Sequence, residues 1–209
     1  MVPVRLGLFP TNRFILVIMA STTPCSTRPS IVVRPATTDD VPAMKDLIDL
    51  YAGKILLQKN LIDIYEALQE YVVAERDGEI LGCGALHVFW SDLGELRTVA
   101  VHPDAQGHGI GHRIVTTLLH NARRLGLERV FVLTFEVDFF ARYGFQEIEG
   151  TPVSYPIYQQ MLRSYDAGVA EFLDLSSVKP NTLGNTRMLA YLAPLTSESP
   201  HDDLDETND

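Results

Sequence analysis

Cysteine is nearly absent, tryptophan occurs once, and no apolar stretch approaches the length of a membrane span. Cys25 and Cys83 are too few for a disulfide framework and belong to no spaced metal quartet, so no metal is expected and a reducing cytoplasm is the expected compartment. Basic residues are also in short supply, with 17 Lys and Arg against 27 Asp and Glu and a formal net charge of −10. Binding to DNA, RNA or an anionic membrane requires a basic face that releases counterions, so nucleic acid and membrane are not expected as partners. What is present is an ordinary globular composition. The chain has 209 residues, 46% of them apolar, and a mean hydropathy of +0.05, which suits one packed domain with tails.

Charge is unevenly spread. Residues 196–209 hold six acids and no Lys or Arg, and residues 1–30 hold three Arg and no acid. The acidic tail, 196–209, is expected to be disordered, and residues 1–30 to be a leader outside the domain at 31–195. Arg13 followed by the seven apolar residues Phe14 to Ala20 faintly resembles a signal peptide. That run is at the lower limit for such a segment and far below the ~20 residues of a membrane span. A start of translation at Met19 is the simpler reading, with a disordered extension and secretion as the alternatives.

From Ile31 the pattern becomes regular. Ile31 to Arg34 reads as a strand ended by Pro35, and Thr38-Asp39-Asp40 offers caps for a helix carrying Val41, Met44, Leu47, Ile48 and Tyr51. Asn60 caps a second helix through Tyr65 and Leu68. Tyr71 to Glu75 and Ile80 to Phe89 are strands around an Asp77-Gly78 hairpin turn, with Cys83 read as a small buried residue. Leu96 to Val101 is the next strand. A long amphipathic helix then places Ile114, Leu118, Leu119, Ala122 and Leu125 on one face and stops at Gly126. Val130 to Thr134 is a short buried strand, Asp138 to Tyr143 a helix stopped by Gly144, and Phe145 to Ile148 a strand. Residues 151–173 are irregular or helical, and Met188 to Leu192 is the last strand. The order predicts an α/β fold with a mixed sheet and one crossover helix.

Three glycines alternate in Gln106-Gly107-His108-Gly109-Ile110-Gly111, between a strand and a helix. Glycine lets successive amides turn toward one point and a ligand approach the backbone, and the helix start adds unpaired N–H groups. The loop is built for a phosphate or pyrophosphate. Turn punctuation is the bland alternative. A dinucleotide fingerprint requires G-x-G-x-x-G, and the spacing here is Q-x-x-G-x-G. His108 and His112 are four apart, as metal ligands on a helix can be, but His108 sits among glycines and no third ligand is near. Both are expected to border phosphates.

That loop, preceded by Val99-Ala100-Val101-His102-Pro103 and followed by Phe140-Ala141-Arg142-Tyr143-Gly144-Phe145, resembles the acetyl-CoA loop and cofactor-side helix of the Gcn5-related N-acetyltransferases (GNAT). The resemblance runs from about Ile31 to Leu192. It implies a mixed, mostly antiparallel twisted sheet with flanking helices, and acetyl-CoA as co-substrate. Val99, Ala100 and Val101 would pair with the pantetheine arm, residues 106–112 would hold the pyrophosphate, and Phe140 would border the cofactor.

Within the family, Ile55 to Asn60, Gly94-Glu95-Leu96, Val130 to Thr134 and Asn185-Thr186-Arg187-Met188-Leu189 resemble the short, single-domain N-acetylglutamate synthases of actinobacteria. This implies acetylation of an amino acid, L-glutamate or L-glutamine, at the start of arginine biosynthesis. Such a reaction needs a base for the α-ammonium, a donor for the oxyanion and a proton for the departing thiolate. Glu95, four residues ahead of Val99, matches the proposed base, with an ordinary exposed strand-end glutamate as the alternative. The backbone N–H near Val99 would hold the oxyanion. The tyrosine that many family members use as acid is replaced by Phe140. Thr134 stands where the synthases have their proposed acid, with Tyr143 or solvent as alternatives. Lys59, Arg97 and Arg187, beside Asn185 and Thr186, are the candidates for binding substrate carboxylates. Lys59 stands where the synthases tend to have Arg, which leaves glutamine open beside glutamate. A GNAT enzyme acting on another amine, and a non-catalytic acetyl-CoA sensor, are the competing readings. Nothing in the sequence selects between a monomer and a homodimer.

Overall fold

In the computed structural model, which describes residues 30–56, 58–175 and 185–194, the first element is strand β1 (Val32–Pro35). The readings made for the leader, Cys25 and Met19 included, and for the acidic tail lie outside the described residues. After β1 come helices α1 (Val41–Asp49) and α2 (Leu61–Glu66), strands β2 (Tyr71–Arg76), β3 (Glu79–Trp90) and β4 (Leu93–Val101), and helix α3 (Ile110–Arg124). Strand β5 (Arg129–Thr134), α4 (Val137–Ala141), β6 (Gln146–Glu147), α5 (Tyr155–Met161), α6 (Ala167–Phe172) and β7 (Thr186–Tyr191) complete it.

The seven strands form one sheet in the order β1-β2-β3-β4-β5-β7-β6. Every neighbouring pair is antiparallel except β4 and β5, which run parallel because α3 crosses over between them. The expected mixed sheet with one crossover helix is therefore present. Its far edge is less simple than the sequence order suggests, since β7 inserts between β5 and β6. Only Gln146 and Glu147 of the expected strand 145–148 pair in the sheet.

Strand alternation divides the core into two faces. Val72, Leu86, Leu96, Val130 and Val132 turn toward α3, where they meet Ile110, Ile114, Leu118 and Leu119. Each of these aliphatic side chains contributes about 1.5–3 kcal/mol by leaving water. Gly82 and Gly84 let α3 lie close on β3, because a Cβ at either would stand 2.8 Å from Ile114. Leu125 is not part of this face. It is 61% exposed at the helix C-cap, one residue past the last turn. On the opposite face, Val41, Met44 and Ile48 of α1 and Ile64 of α2 cover Tyr71, Val73, Cys83 and Ala85. Further along that face, Phe131 and Leu189 pack on Phe172, Val169 and Met161 of α6 and α5.

Caps differ slightly from expectation. The entry to α1 is a 3-10 turn that Thr37 caps through a reciprocal bond with Asp40, and Asp40, one of the expected caps, is the N-cap of α1 itself. Asn60 caps α2 as read, but that helix stops at Glu66. Strand β4 begins at Leu93, three residues before the expected Leu96, which places Glu95 inside it.

Candidate active site

Strands β4 and β5 pair only from Leu93 with Arg129 to Leu96 with Val132. On its other side, β4 carries a bulge: Cys83 of β3 faces Ala100 and Ala85 faces Arg97, and the register skips Thr98 and Val99. Thr98 has φ of 57°, the left-handed region that a β-branched residue rarely adopts. The bulge bends β4 away from β5 where the parallel ladder ends. A cavity of about 780 Å³ opens in the gap.

One end of this cavity is formed by the glycine loop. Val99, Ala100 and Val101 line it, followed by Gln106, Gly107, Gly109, Ile110, Gly111 and His112. Gly107 and Gly109 have φ of 78° and 75°, conformations that only glycine adopts without cost, and Gly109 is the N-cap of α3. The first helical bond runs from Arg113 N–H to Gly109 C=O at 3.1 Å. The amides of Ile110, Gly111 and His112 precede it and have no helical partner, so the loop presents the positive end of a 15-residue helix, which suits an anion. His108 differs from its expected place. Its ring Nδ1 lies 2.9 Å from Gln106 O on the exposed side of the loop, and the side chain does not line the cavity.

Phe140 does line it, 5% exposed and packed edge-on to Phe139 and Phe145. Thr134, at the end of β5, is 7% exposed, and its Oγ1 accepts the Glu136 N–H at 2.8 Å. With one lone pair of Oγ1 engaged, the hydroxyl proton is free to point into the cavity. Tyr143 is not placed to act as acid: its hydroxyl lies 2.8 Å from Nδ1 of His112 and it does not line the cavity. Tyr51, read only as a core residue, has a second role. Its hydroxyl donates to Val101 O at 2.5 Å and accepts from Gln106 Nε2 at 2.9 Å, joining β4 to the loop.

At the other end Glu95 is only 6% exposed, so it is not a strand-end surface carboxylate. Burial pushes its carboxyl up to about 7, against the opposing attraction of Arg97 and with the added repulsion of Asp166. Arg97 Nε donates to Glu95 Oε2 at 2.7 Å, while its NH1 and NH2 donate to the two oxygens of Asp166 at 2.9 and 3.0 Å. Burial is the largest single influence on the Asp166 carboxyl and would raise it, but the hydrogen bonds and charge of Arg97, the Val169 N–H and His87 together hold the group below its ordinary value.

Residues 41–145 match the family described as Acetyltransferase (GNAT) family. The chain belongs to this family. An amino-acid acetyltransferase of Mycobacterium tuberculosis is 67% identical over 164 residues, which cover 77% of this chain and 94% of that protein. The crystal structure of Rv2747 from Mycobacterium tuberculosis, in complex with CoA and NLQ, superposes with a TM-score of 0.75 at 67% identity, over 78% of this chain and 99% of that one. The N-acetylglutamate synthase of Neisseria gonorrhoeae, complexed with coenzyme A and N-acetyl-glutamate, matches with a TM-score of 0.63 at 27% identity. That match covers 78% of this chain but only 35% of the larger synthase.

In this GNAT domain the expected carboxylate-binding residues separate. Lys59 lines the cavity, and among the described residues it has no ion-pair partner. Arg97 lines it too, but its guanidinium is engaged by Glu95 and Asp166. Arg187 lies outside the cavity, donating to Phe172 O at 2.5 Å and Gly150 O at 3.0 Å, where it ties β7 to the end of α6. Thr186 pairs with Thr134 across β5 and β7 without lining the cavity, whereas Asn185 does line it. The cavity is also lined by Asp166 and Gly168, in the stretch expected to be irregular or helical, which forms α6 here. The available signal was Asp166 ahead of an apolar run, an N-cap pattern.

Proposed function

We propose that this GNAT enzyme transfers the acetyl group of acetyl-CoA to the α-nitrogen of an amino acid, L-glutamate or L-glutamine, as the first step of arginine biosynthesis. The observation that carries the reading is Glu95, a buried carboxylate with a pKa of about 7, between the donor strand and a cavity wall that also carries Lys59. The 67% identity to the amino-acid acetyltransferase of Mycobacterium tuberculosis supports the acceptor class.

A base must accept a proton from an α-ammonium without itself being protonated at working pH, and a carboxylate near pH 7 meets both needs better than an ordinary glutamate. Glu95 takes that proton, directly or through a water. The freed amine attacks the thioester carbonyl, the carbon–nitrogen bond forms, and the oxyanion accepts the Val99 N–H, which the bulge at Thr98 takes out of the regular ladder. The carbon–sulfur bond then breaks, the amide nitrogen gives up its second proton, and the thiolate gains one from the side of Thr134, whose hydroxyl relays a proton rather than losing its own, or directly from solvent. Lys59 holds an acceptor carboxylate as a point charge, which suits glutamine as well as glutamate.

An acceptor panel tests this. With acetyl-CoA, L-glutamate or L-glutamine should release CoA faster than spermidine or an N-terminal peptide. Faster turnover of the polyamine would transfer the site to a cationic acceptor. The reading also places the enzyme in the cytoplasm, supported by its cysteine usage. Sedimentation of the full chain would show whether it works as a homodimer.

A further inference from the structure

The first turn of α6 is pressed against Glu95. A Cβ on Gly168 would stand 2.4 Å from Glu95 Oε2 and 3.0 Å from both Cδ and Oε1. The backbone there does not demand glycine, since Gly168 is absent from the positive-φ residues. Alanine is a better helix former than glycine. What glycine supplies at this position is therefore space for the carboxylate.

Two residues earlier, Asp166 caps the same turn, with Oδ1 accepting the Val169 N–H at 3.0 Å. Both of its oxygens also hold the guanidinium of Arg97, which reaches Glu95 through Nε. His87, directly across the ladder from Glu95, stands behind them: its Nε2 is 3.7 Å from Asp166 Oδ2 and its Nδ1 is 2.5 Å from Glu70 Oε1. Glu95 is thus faced by Arg97 from its own strand, His87 from β3 and Asp166 from α6, with Glu70 beyond the histidine.

We infer that Asp166 and Gly168 are positioning residues for the general base: Asp166 anchors Arg97 across Glu95, and Gly168 leaves the room that the carboxylate occupies. The inference rests on the reading of Glu95 as base. Asp166 and Glu95 share one guanidinium, so the negative charge of Asp166 opposes ionisation of Glu95. Asparagine at this position would keep the cap and one acceptor for Arg97 while removing the charge. Glu95 would then lose its proton more easily, and the acid limb of kcat/KM would move to lower pH.

The test uses the full chain with acetyl-CoA and its best amino-acid acceptor. Gly168→Ala should lower kcat about tenfold or more by displacing the carboxylate, with the acetyl-CoA KM nearly unchanged. In a Glu95→Asp background, where the carboxylate is one methylene shorter, the same change should cost less than about threefold. Asp166→Asn should move the acid limb down by about 0.5–1 pH unit. Several results would overturn the inference: wild-type kcat in Gly168→Ala, an equal loss in both backgrounds, or an acid limb that stays or rises in Asp166→Asn. Glu95→Gln is measured alongside. If it keeps the wild-type rate, the reading of the base fails; if it loses the rate while the α6 variants behave like wild type, only the positioning claim fails.

Discussion

The hydroxyl of Tyr143 lies 2.8 Å from Nδ1 of His112, and the two rings stack with centroids 5.6 Å apart. This pairing turns the tyrosine toward the first turn of α3, and it does not line the cavity. Tyr143→Phe should therefore keep kcat within about threefold, whereas loss of a true general acid costs roughly 10²–10⁴. The acetyl-CoA KM should rise modestly, because His112 lines the cofactor end of the cavity. Steady-state assay of CoA release measures both.

In the proposed mechanism the Thr134 hydroxyl serves the departing thiolate. Thr134→Val keeps the shape of the side chain but removes the hydroxyl and the acceptor for Glu136 N–H. We expect kcat to fall roughly tenfold or more, and Thr134→Ser to restore it to within about threefold. Equal rates in Thr134→Val and wild type would leave protonation of the thiolate to solvent.

Much of this site was legible because its chemistry depends on residue types at short spacing. The loop from Gln106 to Gly111 and the strand before it lie within a dozen residues of one another, and glycine at positive φ leaves a visible pattern. Glu95 was legible as a base candidate, but its burial was not. Gly94 sits inside β4, where a Cβ would meet Leu127 at 2.8 Å and His87 O at 2.9 Å, so only glycine fits that close packing. The roles of Arg97 and Arg187 were not legible, since their partners lie 69 and 15 residues away. The same distance hid α6. Nothing local in Asp166 or Gly168 shows that the fold returns them to β4.

Lys59, like Arg142, lines the cavity without a carboxylate partner among the described residues. Lys59→Ala should raise the acceptor KM about tenfold, roughly 1.4 kcal/mol, and leave the acetyl-CoA KM unchanged. Lys59→Arg, with its two parallel donors, should shift the preference from glutamine toward glutamate. Competition between the two amino acids, followed by mass spectrometry of the products, reads that ratio.

Asp40 serves the fold rather than the chemistry. It accepts from the Arg34 guanidinium at 2.7 and 2.9 Å and from Thr37 N–H at 2.7 Å, fastening β1 to α1. The Arg34 hydrogen bonds hold its carboxyl far below the ordinary value. A depressed folded-state pKa contributes stability that is complete above the unfolded value of 3.8 and is lost as pH falls below it. Asp40→Asn should therefore destabilise at pH 7 by about 1–3 kcal/mol. Urea unfolding should show the difference from wild type shrinking as pH drops below about 4.

The pH dependence of CoA release from acetyl-CoA with L-glutamate or L-glutamine, in the wild type and in Glu95→Gln, tests the central claim most directly. A base with pKa of about 7 makes kcat/KM rise tenfold per pH unit and level off near that value, because only the deprotonated carboxylate is competent. Glu95→Gln should lose about a hundredfold or more and the limb with it, while CoA still binds. An unchanged limb in Glu95→Gln, or no turnover of any α-amino acid by the wild type, would contradict the account.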